Sequence, residues 1–229
     1  MIYYPISACI NVFVSLLLGF FVLYKNSKAK LNKALFFFCM TIASWSIFYF
    51  IWQLESDESM ALLWTRLLMV GAIWVPIAYF RVVAIFLNIE QQKKKFIIIN
   101  YILCIIFTLL LFTPLMVENV EPAGGFPFWP KPGIAYAPFL SMFIAVSLYS
   151  AILSYKFLNK VSALKKVQIK LMLFGIAITI IGGSTNYFLW YDIPIKPYGN
   201  IFASTYVIMT VYAIVRYRLL DIKFVLRKS

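Results

Sequence analysis

The chain of 229 residues contains no histidine, and only 13% of its residues are charged. Without an imidazole, the chain has no histidine to bind a metal ion, to act as an acid–base catalyst or to accept a phosphoryl group. The three cysteines, Cys9, Cys39 and Cys104, fall inside apolar runs and lack the spacing of a metal site, so we interpret them as small core residues. The sequence therefore predicts neither a metal ion nor another cofactor.

Acidic residues are also scarce, with eight Asp and Glu against 21 Lys and Arg. No aspartate or glutamate lies deep inside an apolar run, which disfavours proton- or cation-coupled transport. The chain has no glycine-rich phosphate loop, no HExxH sequence and no Ser–His or Cys–His pair. Because we find no catalytic constellation, we predict that these residues form no enzyme.

Apolar residues, in contrast, make up 63% of the chain, and its mean hydropathy is +0.89. Apolar runs recur that are long enough to cross a hydrocarbon core about 30 Å thick. A soluble domain of this size could not bury so much apolar surface. The sequence predicts an all-α integral membrane protein, a bundle of seven transmembrane helices. The predicted spans are residues 4–24, 33–53, 61–88, 96–114, 136–156, 169–190 and 198–217.

The distribution of basic residues predicts the orientation, because Lys and Arg accumulate in cytoplasmic loops. They cluster after the first span, in the third loop, around the fifth loop and in the C-terminal tail, whereas the other loops hold only Lys131 and Lys196. We therefore expect the N-terminus outside and the C-terminus in the cytoplasm. The net charge of +13 then favours membrane lipid as a partner and does not require nucleic acid.

Polar and aromatic residues near the outer ends of spans two, three, six and seven predict a ligand pocket. Arg66 and Asn186 are polar groups at membrane depth, where each needs a partner. Arg66 either points inward or snorkels to the headgroup layer, and Asn186 bonds to a neighbouring helix or to a bound molecule. The predicted pocket residues are Tyr49, Trp64, Arg66, Asn186, Trp190 and Tyr198.

Two other features suggest how the bundle moves and how it is closed. Pro76, in the middle of the third span, removes one backbone donor and leaves the carbonyl of Ala72 without it. Pro76 is therefore either a hinge or a packing kink without movement. The long loop from Leu115 to Ala135 is rich in proline, glycine and aromatic residues, and predicts an ordered cap over the outer mouth. A flexible linker is the alternative.

Four stretches carry a resemblance to a known family. They are ASWSIFYF (43–50), LLWTRLLMVGAIWVPIAYF (62–80), GGSTNYFLWYDIPIKPYGN (182–200) and YAIVRYRLLDIKFVLRKS (212–229). The chain resembles the N-terminal seven-helix sensor region of bacterial histidine kinases, which has relatives ahead of diguanylate cyclase modules. The resemblance implies a receptor of the bacterial plasma membrane that detects an extracellular or membrane-borne small molecule. Some relatives bind diffusible quorum-sensing signals.

The resemblance also implies an output on the cytoplasmic side. We divide the chain into a sensor domain, residues 1–218, and the start of an output linker, residues 219–229. The apolar side chains of the tail repeat at intervals of three and four residues, which is typical of a parallel coiled coil with a second copy. A helix lying on the inner leaflet is the alternative. The predicted hinge and output residues are Pro76, Arg216, Arg218, Leu219, Ile222 and Leu226.

Several interpretations remain open at this point. A catalytic output is not part of these residues, so the chain is either a fragment of a longer receptor or a stand-alone sensor that needs a partner. An uncoupled carrier for a lipophilic or neutral solute is the alternative function, since such transport needs no buried acid. A purely structural membrane partner is a third possibility.

Overall fold

The structure is a computed structural model that describes the backbone of residues 2–226 and the side chains of residues 2–215. Its helices are α1 (Tyr3–Lys25), α2 (Lys30–Gln53), α3 (Glu58–Phe86), α4 (Lys94–Leu110), α5 (Tyr136–Phe157), α6 (Ala163–Gly183), α7 (Thr185–Phe188) and α8 (Phe202–Leu226). Two short 3₁₀ turns, Leu189–Tyr191 and Tyr198–Ile201, flank the loop between α7 and α8. The chain is therefore mostly helical, as the apolar runs predict.

Six helical segments of the described chain are long and apolar enough to cross a membrane. They are Tyr3–Lys25, Lys30–Gln53, Glu58–Phe86, Tyr136–Phe157, Ala163–Tyr191 and Tyr198–Val215. Helix α4 has 17 residues and is one residue shorter than the shortest of these segments, Tyr198–Val215. The chain is a multi-pass helical membrane bundle.

A small β-hairpin departs from the all-α expectation. Strands β1 (Val117–Ala123) and β2 (Phe126–Pro132) pair antiparallel between α4 and α5. Gly124 and Gly125 form the turn, with φ of 60° and 88°. Positive φ at both central positions is what a tight two-residue hairpin turn of type I′ requires, and glycine adopts it without strain. The cap expected between Leu115 and Ala135 is thus an ordered hairpin.

Helices α3 and α4 run antiparallel and in contact over much of their length. Three polar contacts join them: Arg81 Nη1 with Tyr101 Oη (3.3 Å), Cys104 Sγ with the carbonyl of Ile73 (3.4 Å), and Trp74 Nε1 with Thr108 Oγ1 (3.2 Å). Further along, Arg66 Nη2 donates to the carbonyl of Val117 in β1 (3.1 Å). From Arg81 to Arg66 the residue numbers on α3 decrease, whereas those of the contacting residues increase from Tyr101 to Val117. The α4–β1 segment therefore follows α3 from one end of the bundle towards the other.

Charged and aromatic contacts gather the lysine-rich loops at one end of the bundle. Glu90, in the loop after α3, lies 3.6 Å from Arg81 Nε and 3.9 Å from Lys30 Nζ. Lys93 lies over the ring of Tyr149 (5.4 Å) and Lys165 over that of Phe86 (5.0 Å). The ends of α3 and α5 thus meet the starts of α2, α4 and α6. We call this the basic end, and the opposite end, which carries the hairpin, the hairpin end.

Helix α3 continues from Glu58 to Phe86 with Pro76 inside it. The Ile73 carbonyl that accepts from Cys104 lies next to the Ala72 carbonyl that the proline deprives of its donor. The role of Pro76 as a hinge stays a prediction. Helix α8 extends across the predicted boundary between residues 218 and 219. The side chains of the predicted output residues lie outside the described residues: Arg216, Arg218, Leu219, Ile222 and Leu226.

Candidate ligand cavity

A cavity of about 360 Å³ lies between α2, α3, α5, α6 and α8, beneath the hairpin. Most of its wall is aromatic or aliphatic, and none of the lining residues, all of which fall in the described part of the chain, is charged. Such a lining is typical of small-molecule sites, in which a few polar groups orient an otherwise apolar ligand. Among the described residues, no cluster of His, Cys, Asp and Glu side chains is arranged to hold a metal ion.

The hairpin forms the roof of the cavity. The indole of Trp129 in β2 is only 1% exposed and packs against the ring of Trp52, with 5.1 Å between centroids. Trp52 Nε1 donates to the carbonyl of Phe128 (2.8 Å), which ties the roof to the end of α2. Gly124 leaves room for Leu189, since a Cβ at this position would lie 2.9 Å from that side chain. The roof is therefore fixed both to α2 and to the 3₁₀ turn after α7.

A second aromatic layer closes the hairpin end beside the roof. Tyr136, at the start of α5, stacks on Trp190 with 4.0 Å between centroids and 11° between planes. Both side chains are buried and line the cavity. Lys131 in β2 forms ion pairs with Asp192 and, at 3.7 Å, with Glu121. These contacts hold the loop before α8 against the hairpin.

Four residues that line the cavity contain a buried polar atom without a hydrogen-bond partner. The atoms are Tyr49 Oη, Trp129 Nε1, Asn186 Oδ1 and Asn200 Oδ1. Leaving such a group unpaired costs about 1–3 kcal/mol. Each of these atoms is buried, so a small side-chain movement must precede contact with a ligand. Two of these atoms are hydrogen-bond donors and two are acceptors, and all four are uncharged.

The amide oxygens of the two asparagines are unpaired because their nitrogens are already engaged. Asn186 Nδ2 donates to the carbonyl of Gly183 (3.3 Å). Asn200 Nδ2 donates to Ser7 Oγ (3.0 Å), and that hydroxyl in turn donates to the carbonyl of Tyr4 (2.8 Å). Because the hydroxyl proton of Ser7 is donated to the carbonyl of Tyr4, Ser7 Oγ can only accept a hydrogen bond from Asn200. The amide nitrogen of Asn200 therefore faces Ser7, and its amide oxygen has no partner.

A polar clamp of Asn11, Asn200 and Ser204 joins α1 to the start of α8. Asn11 Nδ2 donates to the backbone carbonyl of Asn200 (2.9 Å), and Asn11 Oδ1 accepts the backbone N–H of Ser204 (2.9 Å). Asn11 is fully buried. Its amide therefore satisfies one of the orphan donors at the N-terminus of α8 from a different helix. The clamp positions Asn200 in the cavity wall.

The structure separates the predicted pocket residues into two groups. Tyr49, Asn186 and Trp190 line the cavity, and Trp64, Arg66 and Tyr198 do not.

The second group serves the hairpin end instead. Trp64 Nε1 donates to Glu55 Oε2 (3.1 Å), and Tyr198 is 62% exposed, with its carbonyl accepting from the hydroxyl of Tyr3. Arg66 holds β1 through Val117, while its Nε is buried without a partner. The inward orientation considered for Arg66 thus leads to the hairpin and not to the cavity.

Sequence reasoning missed Trp129 and Asn200 as lining residues. Trp129 lies in the loop that the sequence predicts as a cap, and Asn200 lies near the start of the predicted seventh span, residues 198–217. The signals were an indole within a proline-rich segment and an amide directly after Gly199. Neither signal specifies which distant helix the side chain faces.

Comparison with protein families identifies a match to this chain. The family described as the N-terminal 7TM region of histidine kinase matches residues 7–223. The matched range includes all of the cavity-lining residues. A comparison with curated proteins gave no match.

Proposed function

The chain belongs to the family of N-terminal 7TM regions of histidine kinases, and from this premise we propose that it is the sensor module of a bacterial signalling protein. It binds a small molecule, extracellular or membrane-borne, in the cavity beneath the hairpin and passes the signal through α8 to a cytoplasmic output. The output is a histidine kinase or a diguanylate cyclase. No catalytic domain is indicated within the family region itself.

The proposal includes seven crossings, with the N-terminus outside and the C-terminus in the cytoplasm of the plasma membrane. The length of helix α4 does not by itself decide whether this helix crosses the membrane, since its 17 residues extend about 25 Å. This length is at the lower limit for a span, and the antiparallel contacts with α3 support a crossing. The basic end then faces the cytoplasm, as the distribution of lysine and arginine favours.

The observation that carries the proposal is the position of the cavity next to the start of α8. Ala203 and Tyr206 of α8 line it, together with Asn200 in the preceding 3₁₀ turn. A ligand shifts a conformational equilibrium only by its different affinity for the two states. A molecule that pairs with the unpaired polar atoms of the wall forms these hydrogen bonds only in the state in which the side chains have moved and exposed the atoms to the cavity. Such a ligand has the required difference in affinity.

The output lies beyond the cavity, on the cytoplasmic side. Because the chain has no histidine, the phosphorylated histidine belongs to another segment or to a partner protein. We propose that α8 continues into a linker that pairs with a second copy, through the apolar repeat of Leu219, Ile222 and Leu226. Movement at Pro76 would accompany the change in packing around the cavity.

The test joins residues 1–229 to the dimerisation and catalytic core of a histidine kinase and measures autophosphorylation in proteoliposomes. The stimuli are a panel of neutral alcohols, amides and lactones with six to twelve carbon atoms. We expect at least one compound to change the rate, and the Tyr49→Phe variant to need about fivefold more of it, since one hydrogen bond contributes about 1 kcal/mol.

The matched control is Ser46→Ala. Ser46 lies on the same helix, is fully buried and also has a hydroxyl without a partner, but it does not line the cavity. Its loss should leave the response unchanged. An output that is constant across the panel, or a response that Tyr49→Phe and Ser46→Ala alter equally, would contradict the proposal.

The uncharged wall of the cavity also favours a second candidate, an uncoupled carrier for a lipophilic or neutral solute. A carrier moves its solute across the bilayer without any output domain. Flux of a radiolabelled member of the panel into proteoliposomes that contain residues 1–229 alone separates the two functions. Flux equal to that of protein-free liposomes excludes the carrier.

A further inference from the structure

We propose that the ligand reaches this cavity from the lipid, through a gap between α5 and α6, and that it is therefore a neutral molecule that partitions into membranes. It has an apolar body and a small hydrogen-bonding group. This inference rests on the proposed function, because it names the class of ligand for the same site.

Three side chains that line the cavity are also among the more exposed apolar residues of the bundle. Ile144 and Leu148 of α5 are 46% and 47% exposed, and Ile180 of α6 is 36% exposed. Side chains four residues apart on a helix share one face. We infer that these side chains, which line the cavity and are each more than a third exposed, form the rim of an opening. The rim therefore lies between α5 and α6.

The depth of the rim places it among lipid chains. Ile144 and Leu148 lie about 12 and 18 Å along α5 from its first residue, Tyr136, at 1.5 Å per residue. The hydrocarbon core of a bilayer is about 30 Å thick. An opening at this depth on the outer surface of the bundle faces the middle of the membrane and not water.

The route from water is closed at the hairpin end. The lining side chains nearest the hairpin are almost fully buried, with Trp129 and Tyr136 each 1% exposed and Trp190 5% exposed. The stacking of Tyr136 on Trp190 and the ion pairs of Lys131 keep this layer together. A ligand from the aqueous side would have to displace three aromatic rings.

Polar contacts also favour separation of α5 from α6. Helix α6 is tied to α8 by Gln168 Nε2, which donates to the carbonyl of Ala213 (2.9 Å). Thr179 Oγ1 lies within hydrogen-bond distance of the carbonyl of Phe202 (3.2 Å) and of the carbonyl of Gly175 in its own helix (3.0 Å). Helix α5 packs on α3 instead, where Tyr149 stacks on Phe80 with 5.6 Å between centroids. Because α6 is held to α8 and α5 is held to α3, the gap between α5 and α6 can widen without breaking these contacts.

The chemistry of the wall agrees with this route. Transfer of a charged ligand from water to the hydrocarbon core is strongly unfavourable, and the residues that line the cavity offer no opposite charge. A neutral molecule with a hydroxyl, amide or lactone group meets neither obstacle. The unpaired donors and acceptors of Tyr49, Trp129, Asn186 and Asn200 suit such a group.

The experiment is photolabelling of the full chain in liposomes with an eight-carbon alkanol that carries a diazirine, followed by mass spectrometry of the labelled residues. We expect label on the inner wall, at or beside Tyr49 and Trp129. In Ile144→Trp and Ile180→Trp, whose larger side chains fill the gap, labelling of the inner wall should be about tenfold slower. The control is Ile152→Trp, because Ile152 is 49% exposed on α5 but does not line the cavity.

A second arm uses a diazirine probe of the same chain length with a quaternary ammonium group, added to the outside. It should leave the inner wall unlabelled. The lateral route is overturned if the charged probe labels the inner wall as fast as the alkanol, or if both gap variants are labelled at the wild-type rate. Protection of the buried thiols of Cys39 and Cys104 reports that each variant is folded.

Labelling requires no output domain, so its result is independent of the kinase assay. Labelling through the gap in a chimera whose autophosphorylation never changes would support the lateral route and contradict the sensor function.

Discussion

Two helix pairs of this bundle pack in opposite ways. Helices α2 and α3 approach so closely at Gly71 that a Cβ there would lie 2.4 Å from the backbone nitrogen of Trp45. Between α5 and α6, in contrast, Ile144 and Ile180 line a cavity and are exposed outside. Closely packed helices transmit strain and resist deformation, whereas a cavity allows rearrangement. The comparison indicates a rigid scaffold of α2 and α3 beside a more loosely packed wall formed by α5 and α6.

Glycine position explains part of this difference. Small residues let membrane helices approach, because lipid provides no hydrophobic driving force between them. A Cβ at Gly182 of α6 would lie 2.1 Å from the ring of Phe202, so this glycine packs α6 against α8. At Gly183 the nearest atom would be Thr179 Cγ2, at 3.9 Å. The adjacent glycines of α6 therefore bring α8 close and leave the side towards α5 open.

The largest expected effect comes from breaking the close pair with Gly71→Ala. The added methyl group meets backbone atoms of Trp45 and Thr41, which cannot rotate away, so the two helices must separate. We expect a loss of about 3 kcal/mol, at the upper end for overpacking. Thermal unfolding in detergent, followed by the reaction of a thiol dye with the buried Cys39 and Cys104, measures it.

Gly183→Ala is the matched control, because its methyl group meets only Thr179 Cγ2 at an ordinary contact distance. Its unfolding temperature should stay within error of the wild type. Equal destabilisation by the two alanines would show that the α2–α3 pair is no more tightly packed than α6.

The second prediction tests how much the polar clamp of Asn11 contributes to holding the start of α8 against α1. Asn11→Ala removes the acceptor of the Ser204 N–H and the donor to the Asn200 carbonyl, and leaves two buried backbone groups unpaired. We expect a loss of about 2 kcal/mol in the same unfolding assay. Ser15→Ala, one turn along α1, removes a buried hydroxyl that has no partner and should be neutral or stabilising. A larger loss for Ser15→Ala would contradict the clamp.

The sequence predicts the helices far better than the contacts between them. Apolar runs fix where α1 to α6 lie, because each needs only its own length and composition. The hairpin escaped prediction because Pro127, Pro130 and Pro132 disfavour a strand, although Gly124 and Gly125 are a turn signal.

The cavity wall could be predicted only in part for a related reason. Tyr49 and Asn186 are recognisable as polar groups at depth on their own helices. The lining role of Asn200 depends on Asn11 and Ser7, which lie 189 and 193 positions away, and no local pattern specifies these contacts. Arg66 likewise finds its acceptor at Val117, in a strand that the sequence did not predict.

A third, smaller effect is expected at the ion pairs that hold the hairpin to the loop before α8. Lys131→Ala removes the partner of Asp192 and Glu121, both of which are exposed. Although the side chain of Lys131 is only 16% exposed, water screens the exposed carboxylates, so we expect these pairs to contribute about 1 kcal/mol or less. We expect a small drop in unfolding temperature at low salt that disappears at high salt, because salt screens the wild-type pairs. Lys196→Ala, an exposed lysine of the same loop, is the control, and a salt-independent drop for Lys131→Ala would argue for lost packing instead.

The smallest expected effect is the pH dependence of the stability that the turn between α2 and α3 contributes. The hydroxyl of Ser59 and the backbone N–H of Met60 donate to the carboxylate of Asp57 and hold its pKa below the usual 3.8. The backbone N–H groups of Asp57 and Ser56 and the indole of Trp64 likewise lower the pKa of Glu55 below 4.5.

A lowered pKa in the folded state means that the ionised carboxylate is favoured there, so its stabilisation is complete above about pH 4.5 and is lost as the pH falls through the folded pKa values. We therefore expect the unfolding temperature to fall between about pH 5 and pH 3. In the Asp57→Asn, Glu55→Gln double variant this fall should be smaller, because an asparagine at the N-cap still accepts from Met60 but no longer titrates. An equal fall in both proteins would place the acid sensitivity elsewhere. Since the turn lies at the hairpin end of α2 and α3, a smaller fall in the variant would also show that these two helices separate when the bundle unfolds.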